Sequence, residues 1–362
     1  MVTAVEARNA ADNVLPGHGS VMSVADRLRL TAESLEGTEM PDMYGAGEFI
    51  QAFEREVAGL FGKSAGVFMP SGTMAQQIAL RIWCERDRNF AVAMHPTSHL
   101  EFAEHGGMQF LHNIRRLQFG SPEFIAERML TVDDLDSLAV KPASLLLELP
   151  YRPLGGSLPT WDEVVAMSAW CRDRNIPIHL DGARIWQCAS VYSRSYAEIG
   201  ALFDSIYVSF YKDLGGIAGC LLMGDDSFIA ESKVWQRRHG GNLPDQSVLV
   251  AAAKQGMERT LPVIDDWVAR AKKIAALFSA VDGVIVNPEV PHVNFFQLFL
   301  KGEAEVLAEK HHQLSIEEGT FLFGGLRSAP MPGYATCEVH VFENGMQFDA
   351  QRGCDFLARL VS

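Results

Sequence analysis

The sequence predicts an α/β chain in two parts: a large domain built on a mostly parallel sheet, then a small α+β domain. Three observations predict it. Short apolar runs bounded by turn residues recur at 65–70, 144–149, 176–180, 205–211 and 219–224. These runs are nearly continuous in apolar residues, as strands covered on both faces are, and helix-like segments such as 160–174 separate some of them. From about residue 262 the pattern changes to helices and strands in a different rhythm, the mark of a second domain.

In chain order, residues 1–30 read as an extended N-terminal arm with a short helix at its end. Residues 31–261 form the large domain. Within it, apolar residues at 49, 50, 53, 57 and 60 repeat at helical spacing. Residues 262–362 form the small C-terminal domain: a helix over 263–280, the runs GVIVNP and VNFFQLFL, a helix over 302–318, the run YATCEVHVF and a last helix over 347–361. The length of 362 residues suits two domains with an extensive core.

Composition excludes several function classes. With 48% hydrophobic and 21% charged residues the chain is an ordinary globular one. A net charge of −14 disfavours tracking nucleic-acid phosphates or coating anionic membranes, so neither is expected as a partner. No window reaches the roughly 18 consecutive apolar residues of a membrane span. The N-terminus lacks the apolar stretch of a secretory signal, which points to the cytoplasm. Cysteines at 84, 171, 188, 220, 337 and 354 form no CxxC pair and read as buried reduced thiols, without metal-ligand spacing.

Two Gly-x-Gly patterns, Gly17-His-Gly19 and Gly45-Ala-Gly47, follow no apolar strand and lack the third glycine, so they read as turns rather than as a dinucleotide fingerprint. Three other segments carry chemistry. In Ile176-Pro-Ile-His-Leu-Asp-Gly-Ala-Arg184 an apolar strand ends at Asp181 before a glycine turn. That places a carboxylate at the carboxyl tip of a core strand, where it needs a cationic partner. The partner is either Arg184, in a structural ion pair, or the ring nitrogen of a bound cofactor. A second strand, Ser205 to Tyr211, ends at Lys212 before Asp-Leu-Gly-Gly. Most lysines are solvated surface charges, but these surroundings lower the amine pKa and favour imine chemistry. In Met69-Pro-Ser-Gly-Thr-Met-Ala75, strand runs into helix through Ser71, Gly72 and Thr73, which suits either a phosphate site or a plain N-cap.

Together these segments resemble the pyridoxal-phosphate enzymes of the aspartate aminotransferase fold (fold type I). More narrowly they resemble the threonine aldolase / aromatic amino acid β-eliminating lyase family. The matching stretches are Met43-Tyr-Gly45, Leu60-Phe-Gly-Lys63, Pro70-Ser-Gly-Thr73, His99 with Glu104-His-Gly-Gly107, His179 to Arg184, Lys212-Asp-Leu-Gly215 and Trp235 to Gly241. They span roughly residues 40 to 250.

The resemblance implies a role for each residue. Lys212 would carry the aldimine with pyridoxal 5'-phosphate, and Asp181 would pair with the pyridine nitrogen. His99 would stack on the ring and help proton transfer. Ser71, Gly72 and Thr73 would bind the phosphate, with Ser209 a further contact. Arg184 would grip the substrate carboxylate, with Tyr151 and Tyr44 as further substrate contacts. Family members are homodimers or homotetramers with shared active sites, and no metal is implied. The implied reaction is carbon–carbon cleavage of a β-hydroxy-α-amino acid, threonine aldolase-like, to glycine and an aldehyde. The alternatives are β-elimination to a keto acid and ammonia, and cofactor binding without turnover.

The sequence also departs from the family. The N-terminal Arg-Ser-Asp-Thr stretch is replaced by Asp12-Asn-Val-Leu-Pro-Gly-His18. The Glu-Asn-Thr-His stretch, whose histidine meets the substrate hydroxyl, is replaced by Glu148-Leu-Pro-Tyr151-Arg152, so Tyr151 or Arg152 would take that role. The glycine turn before Met-Arg-Gln continues here as Gly240-Gly-Asn-Leu-Pro-Asp-Gln246, and no carboxylate-gripping arginine aligns near Thr336, leaving Arg327 as the substitute. The cofactor half of the site is thus kept and the substrate half rebuilt.

Overall fold

Apolar strands and covering helices alternate from residue 65 to residue 224, and this alternation builds the sheet that carries the candidate site. The computed structural model describes residues 2–19, 22–120 and 127–362. The chain divides into two units. One comprises Ser23–Pro153 and Leu158–Pro262; the other comprises Met1–Met22, Leu154–Ser157 and Val263–Ser362. The sequence reading put these divisions at 30/31 and 261/262.

The larger unit holds seven strands: β1 (Ala65–Met69), β2 (Ala91–Met94), β3 (Arg115–Arg116), β4 (Ser144–Glu148), β5 (Ile178–Gly182), β6 (Ser205–Ser209) and β7 (Cys220–Gly224). Their order across the sheet is β1-β7-β6-β5-β4-β2-β3. All neighbours run parallel except β7, which is antiparallel to both β1 and β6. Every residue of β4 to β7 is buried, which is why those runs are largely apolar rather than alternating, with polar residues such as Glu148, Asp181 and Ser209 at their ends. Two sequence expectations shift by a few residues. The strand placed at 176–180 forms at Ile178–Gly182, so Asp181 lies within it. The strand placed at 205–211 ends at Ser209, because the Phe210 carbonyl accepts from Gly216 N at 2.8 Å and turns the chain. Lys212 therefore stands in the turn beyond the strand. The sequence reading did not pick out β2, whose four residues fall below the length at which a short apolar run stands out.

Helix α1 (Glu48–Leu60) buries Ile50, Phe53, Val57 and Ala58, the face given by its apolar spacing. Helix α2 (Gly72–Asp87) is buried along most of its length and packs Ala75, Ile78, Ala79 and Ile82 with Val67, Tyr207 and Leu222 of the sheet. Two of its polar residues, Gln76 and Gln77, are also buried.

In the smaller unit four antiparallel strands, Val284–Asn287, Phe295–Lys301, Arg327–Ser328 and Tyr334–His340, make a sheet. Its core packs Phe296, Leu298 and Val339 with Ile274, Phe278, Phe356 and Leu357. Its longer helices are Ile264–Phe278, Ala304–Glu318 and Ala350–Val361, close to the expected spans. The first residues are not extended. Ala4–Ala10 is a helix because Thr3 and Glu6 form a capping box, and Asn13–Val14 pairs parallel with Thr320–Phe321. All six cysteines are free and buried. No helix among the described residues is long and apolar enough to cross a membrane.

One buried acid makes stability depend on pH. Glu54 on α1 accepts a hydrogen bond from Phe68 N at 2.7 Å, yet burial pushes its pKa up to about 7. Between pH 4.5 and 7 the unfolded chain releases this proton while the folded chain keeps it, so stability falls as pH rises through that window. Glu54→Gln should flatten part of this slope while keeping the Phe68 hydrogen bond. Urea unfolding at a series of pH values checks this; an unchanged slope would refute the assignment.

Candidate active site

The strand tips decide which side chains meet. Glu148 and Asp181 are register partners at the ends of the adjacent parallel strands β4 and β5. Asp181 is 1% exposed. Its Oδ2 accepts from Gln76 Nε2 at 2.8 Å and its Oδ1 from Ala183 N at 3.1 Å. One donor comes from α2 and the other from the turn that Gly182 opens, so the carboxylate is oriented by two different elements. Two residues earlier, on the same face, His179 Nδ1 is hydrogen-bonded to Ser205 Oγ at 2.7 Å, and burial lowers its pKa to about 4. The strand end is thus lined by a neutral imidazole beneath a carboxylate.

Lys212 follows β6 in the turn. Burial, and then the charge of Arg184, lower its amine pKa, while Asp181, Glu148 and Asp213 oppose the shift. A larger share of neutral amine at physiological pH is what a nucleophilic lysine needs. The structure thus brings Lys212, Asp181, Arg184 and Glu148 into one electrostatic cluster. The ion pair weighed for Arg184 forms elsewhere: its Nε lies 3.8 Å from Asp213 Oδ1, not against Asp181. Asp213 is fully buried and also accepts from Gln187 Nε2 at 3.0 Å, so the Arg184 side chain is anchored from behind.

The helix end decides between the two readings of Ser71-Gly72-Thr73. Ser71 occupies the N-cap position of α2, but its side chain makes no capping hydrogen bond. The first-turn N–H groups are therefore not satisfied by that hydroxyl, and a 16-residue helix points its positive end there. Ser71 and Thr73 are exposed while Gly72 is buried. A Cβ at Gly72 would lie 2.1 Å from Tyr207 Oη, so only glycine lets the helix start this close to β6. Ser209, at the end of the same strand, is buried beside Tyr207, and its hydroxyl makes no hydrogen bond of normal geometry. These features fit an anionic group.

His99 begins α3 (His99–Phe102), and its side chain is 34% exposed. Its Nδ1 donates to Glu104 Oε1 at 3.0 Å, and Gln77 Nε2 donates to Glu104 Oε2 at 2.8 Å. The imidazole is fixed through a buried carboxylate to α2. Tyr151 is buried with an unpartnered hydroxyl, its ring edge-on to His95 at 5.1 Å. Tyr44 is half-exposed; its neighbours are the Arg237 guanidinium, 5.1 Å from its ring, and the Pro244 carbonyl. Its described neighbours thus lie outside the Lys212 cluster. Among the described residues no group of His, Cys, Asp and Glu could hold a metal ion.

Sequence reasoning missed Gln76, Gln77 and Asp213, and gave Glu104 and Glu148 no role. The signal was there for the glutamines: two adjacent amides inside an otherwise apolar helix must be paired with something buried.

The chain is similar to known proteins over most of its length. The family model described as Beta-eliminating lyase matches residues 31–300. A solved structure from Listeria monocytogenes EGD-E, assigned as an L-allo-threonine aldolase, is 36% identical with a TM-score of 0.91, covering 99% of this chain and 98% of that one. A second, from Exiguobacterium sp. 255-15, is assigned as an aromatic amino acid beta-eliminating lyase/threonine aldolase. It is 37% identical with a TM-score of 0.90, covering 99% and 98%. The aldolase vrtJ of Penicillium aethiopicum is 30% identical over 243 residues, which are 65% of this chain and 61% of that protein.

Gly72→Ala should displace the start of α2 and cost about 1–3 kcal/mol, the range for overpacking a filled site. Thermal unfolding measures it. A variant as stable as the wild type would show that the close approach of α2 to Tyr207 is not needed.

Proposed function

The chain belongs to the beta-eliminating lyase family, and from that premise we propose that it is a pyridoxal-phosphate-dependent lyase of the threonine aldolase type. Its reaction cleaves the Cα–Cβ bond of a β-hydroxy-α-amino acid, giving glycine and an aldehyde. The observation that carries this reading is the pairing of a buried, doubly hydrogen-bonded Asp181 with a lysine of lowered pKa.

When bound, pyridoxal phosphate supplies an electron sink for the pair released as a bond to Cα breaks. The chain's residues do the rest. The Lys212 amine would be the covalent attachment point and would then move protons at Cα. Asp181, held in line by Gln76, would pair with the cofactor's ring nitrogen. Ser71, Gly72, Thr73 and Ser209 would hold the phosphate at the positive end of α2. His99, steadied by Glu104, would support the ring. Arg184, held by Asp213, offers its planar guanidinium to the substrate carboxylate. Tyr151 stands behind the substrate's side-chain end. Tyr44, half-exposed, serves best in a site completed by a second subunit.

A homodimer or homotetramer with shared sites agrees with the apolar surface on the segment after His99, where Phe102, Phe110 and Leu111 are 54%, 88% and 65% exposed. Six free, buried thiols agree with a cytoplasmic setting.

β-elimination to a keto acid and ammonia is the second reading, favoured by the description of the matching family model. A visible absorption spectrum and a product assay separate the possibilities. The purified protein should show a near-visible band that borohydride bleaches, and Lys212→Ala should lack it. Incubation with a panel of β-hydroxy amino acids should release glycine. A reducible band in Lys212→Ala would overturn the attachment point; keto acid without glycine would establish β-elimination instead.

A further inference from the structure

Glu148 is the one carboxyl group in the cluster that the reading above leaves unemployed. It is 6% exposed at the tip of β4. Its Oε1 accepts a single long hydrogen bond, from Arg152 N at 3.3 Å, and its Oε2 has no partner. Asp181, its register partner, accepts two shorter ones. Two carboxyl groups at neighbouring strand tips thus differ in support: one has a donor on each oxygen, the other has an oxygen left open. An acid with an open oxygen beside a fully donated one is placed to exchange a proton.

The groups facing Glu148 are consistent with that division. Asp181 repels its negative charge, while Lys212 and Arg184 attract it. Tyr151, whose buried hydroxyl is also unpartnered, is the remaining titratable neighbour. Burial first, then Asp181, push the Glu148 pKa up to about 7. An unpartnered oxygen on a nearly buried acid is a costly arrangement unless something binds to it.

We infer that Glu148 is the general base that takes the proton from the substrate's β-hydroxyl group. This rests on the aldolase reading above and assigns the role that neither Tyr151 nor Arg152 fills. A buried tyrosine hydroxyl next to a carboxyl group has its pKa raised, and an arginine keeps its proton, so neither serves as a base. In the step, the O–H bond breaks and its proton goes to Glu148 Oε2. The oxygen's electron pair forms the aldehyde C=O bond, the Cα–Cβ bond breaks, and its pair stays with Cα. Cα then gains one proton to become glycine, and Glu148 passes its own on, restoring the starting charge.

The test uses the holoenzyme and the variants Glu148→Gln and Glu148→Asp. In wild type, kcat/KM for glycine release should rise with pH through about 7, because the base must be ionised. Glu148→Gln should lose between about 10²- and 10⁴-fold in glycine release and lose that pH limb. Its borohydride-reducible band, and its exchange of glycine Cα protons with heavy water, should persist. Glu148→Asp should recover part of the rate. Independently of turnover, an infrared difference spectrum between wild type and Glu148→Gln at neutral pH should contain the carbonyl stretch of a protonated carboxyl group. Glycine release within threefold of wild type in Glu148→Gln, or a retained pH limb, would overturn the inference and leave the aldolase reading standing. Equal loss of glycine release and Cα exchange would reduce Glu148 to a structural part. No glycine from wild type with any substrate would overturn both.

Discussion

The hydrogen bond from Gln76 Nε2 to Asp181 Oδ2, 2.8 Å long and fully buried, links the two elements on which the candidate site depends. Asp181 belongs to the sheet and Gln76 to the second turn of α2, whose first turn the Ser71 side chain does not cap. Fixing one against the other fixes the span between that carboxylate and the helix end, which is the span the proposed cofactor would have to bridge. Gly72 makes the span attainable, because a side chain there would hold α2 away from Tyr207 and from the strand tips. The neighbouring Gln77 repeats the device, orienting His99 through Glu104. Helix α2 is therefore less a cover for the sheet than a jig, and its two adjacent buried amides are the contact points.

Electrostatics then sorts the groups at the strand tips. Lys212 interacts electrostatically with Arg184, Asp181, Glu148 and Asp213 in one small region. Arg184 is engaged by Asp213, which keeps it from neutralising Asp181. Asp181 is instead hydrogen-bonded by Gln76 Nε2 and Ala183 N. Arg184 lowers the Lys212 pKa without contributing a competing hydrogen bond on the amine. Had Arg184 paired with Asp181, as the sequence spacing allowed, the site would be neutralised from within and would hold a cationic ligand poorly.

Much of this was legible in the sequence, for a physical reason. Strands buried on both faces must be apolar throughout, so a charged residue at the end of such a run stands out, and Asp181 and Lys212 both did. Helix spans in the smaller unit followed from their apolar periodicity. What stayed hidden depends on the third dimension. The choice of Asp213 over Asp181 as the partner of Arg184 turns on where the chain bends after Ser209, and a strand that stops two residues early is not marked by composition. The helix at Ala4–Ala10 was hidden only by its brevity, since its Thr3–Glu6 capping box was on display. Glu148 was given no role because it lies within the apolar run 144–149 and reads as one more strand residue, whereas its importance comes from register with Asp181 across the sheet.

The two acids with raised pKa values affect stability in the same direction, but only one of them stands in the candidate site. Glu54 and Glu148 both hold protons in the folded state at pH values where the unfolded chain has lost them, so raising the pH through the range from 4.5 to 7 costs stability at both positions. At Glu54 nothing is gained in exchange, because its carboxyl group only anchors Phe68 N. At Glu148 the same ionisation produces the base that the proposed cleavage requires. The conditions that favour catalysis are therefore those in which a negative charge sits uncompensated at the strand tips, next to Asp181. A substrate amino group, or the positive charge of the Lys212–cofactor linkage, would offset that charge. Ligand binding should thus restore at high pH the stability that Glu148 ionisation removes, and this links the cost of the open oxygen to the presence of its substrate.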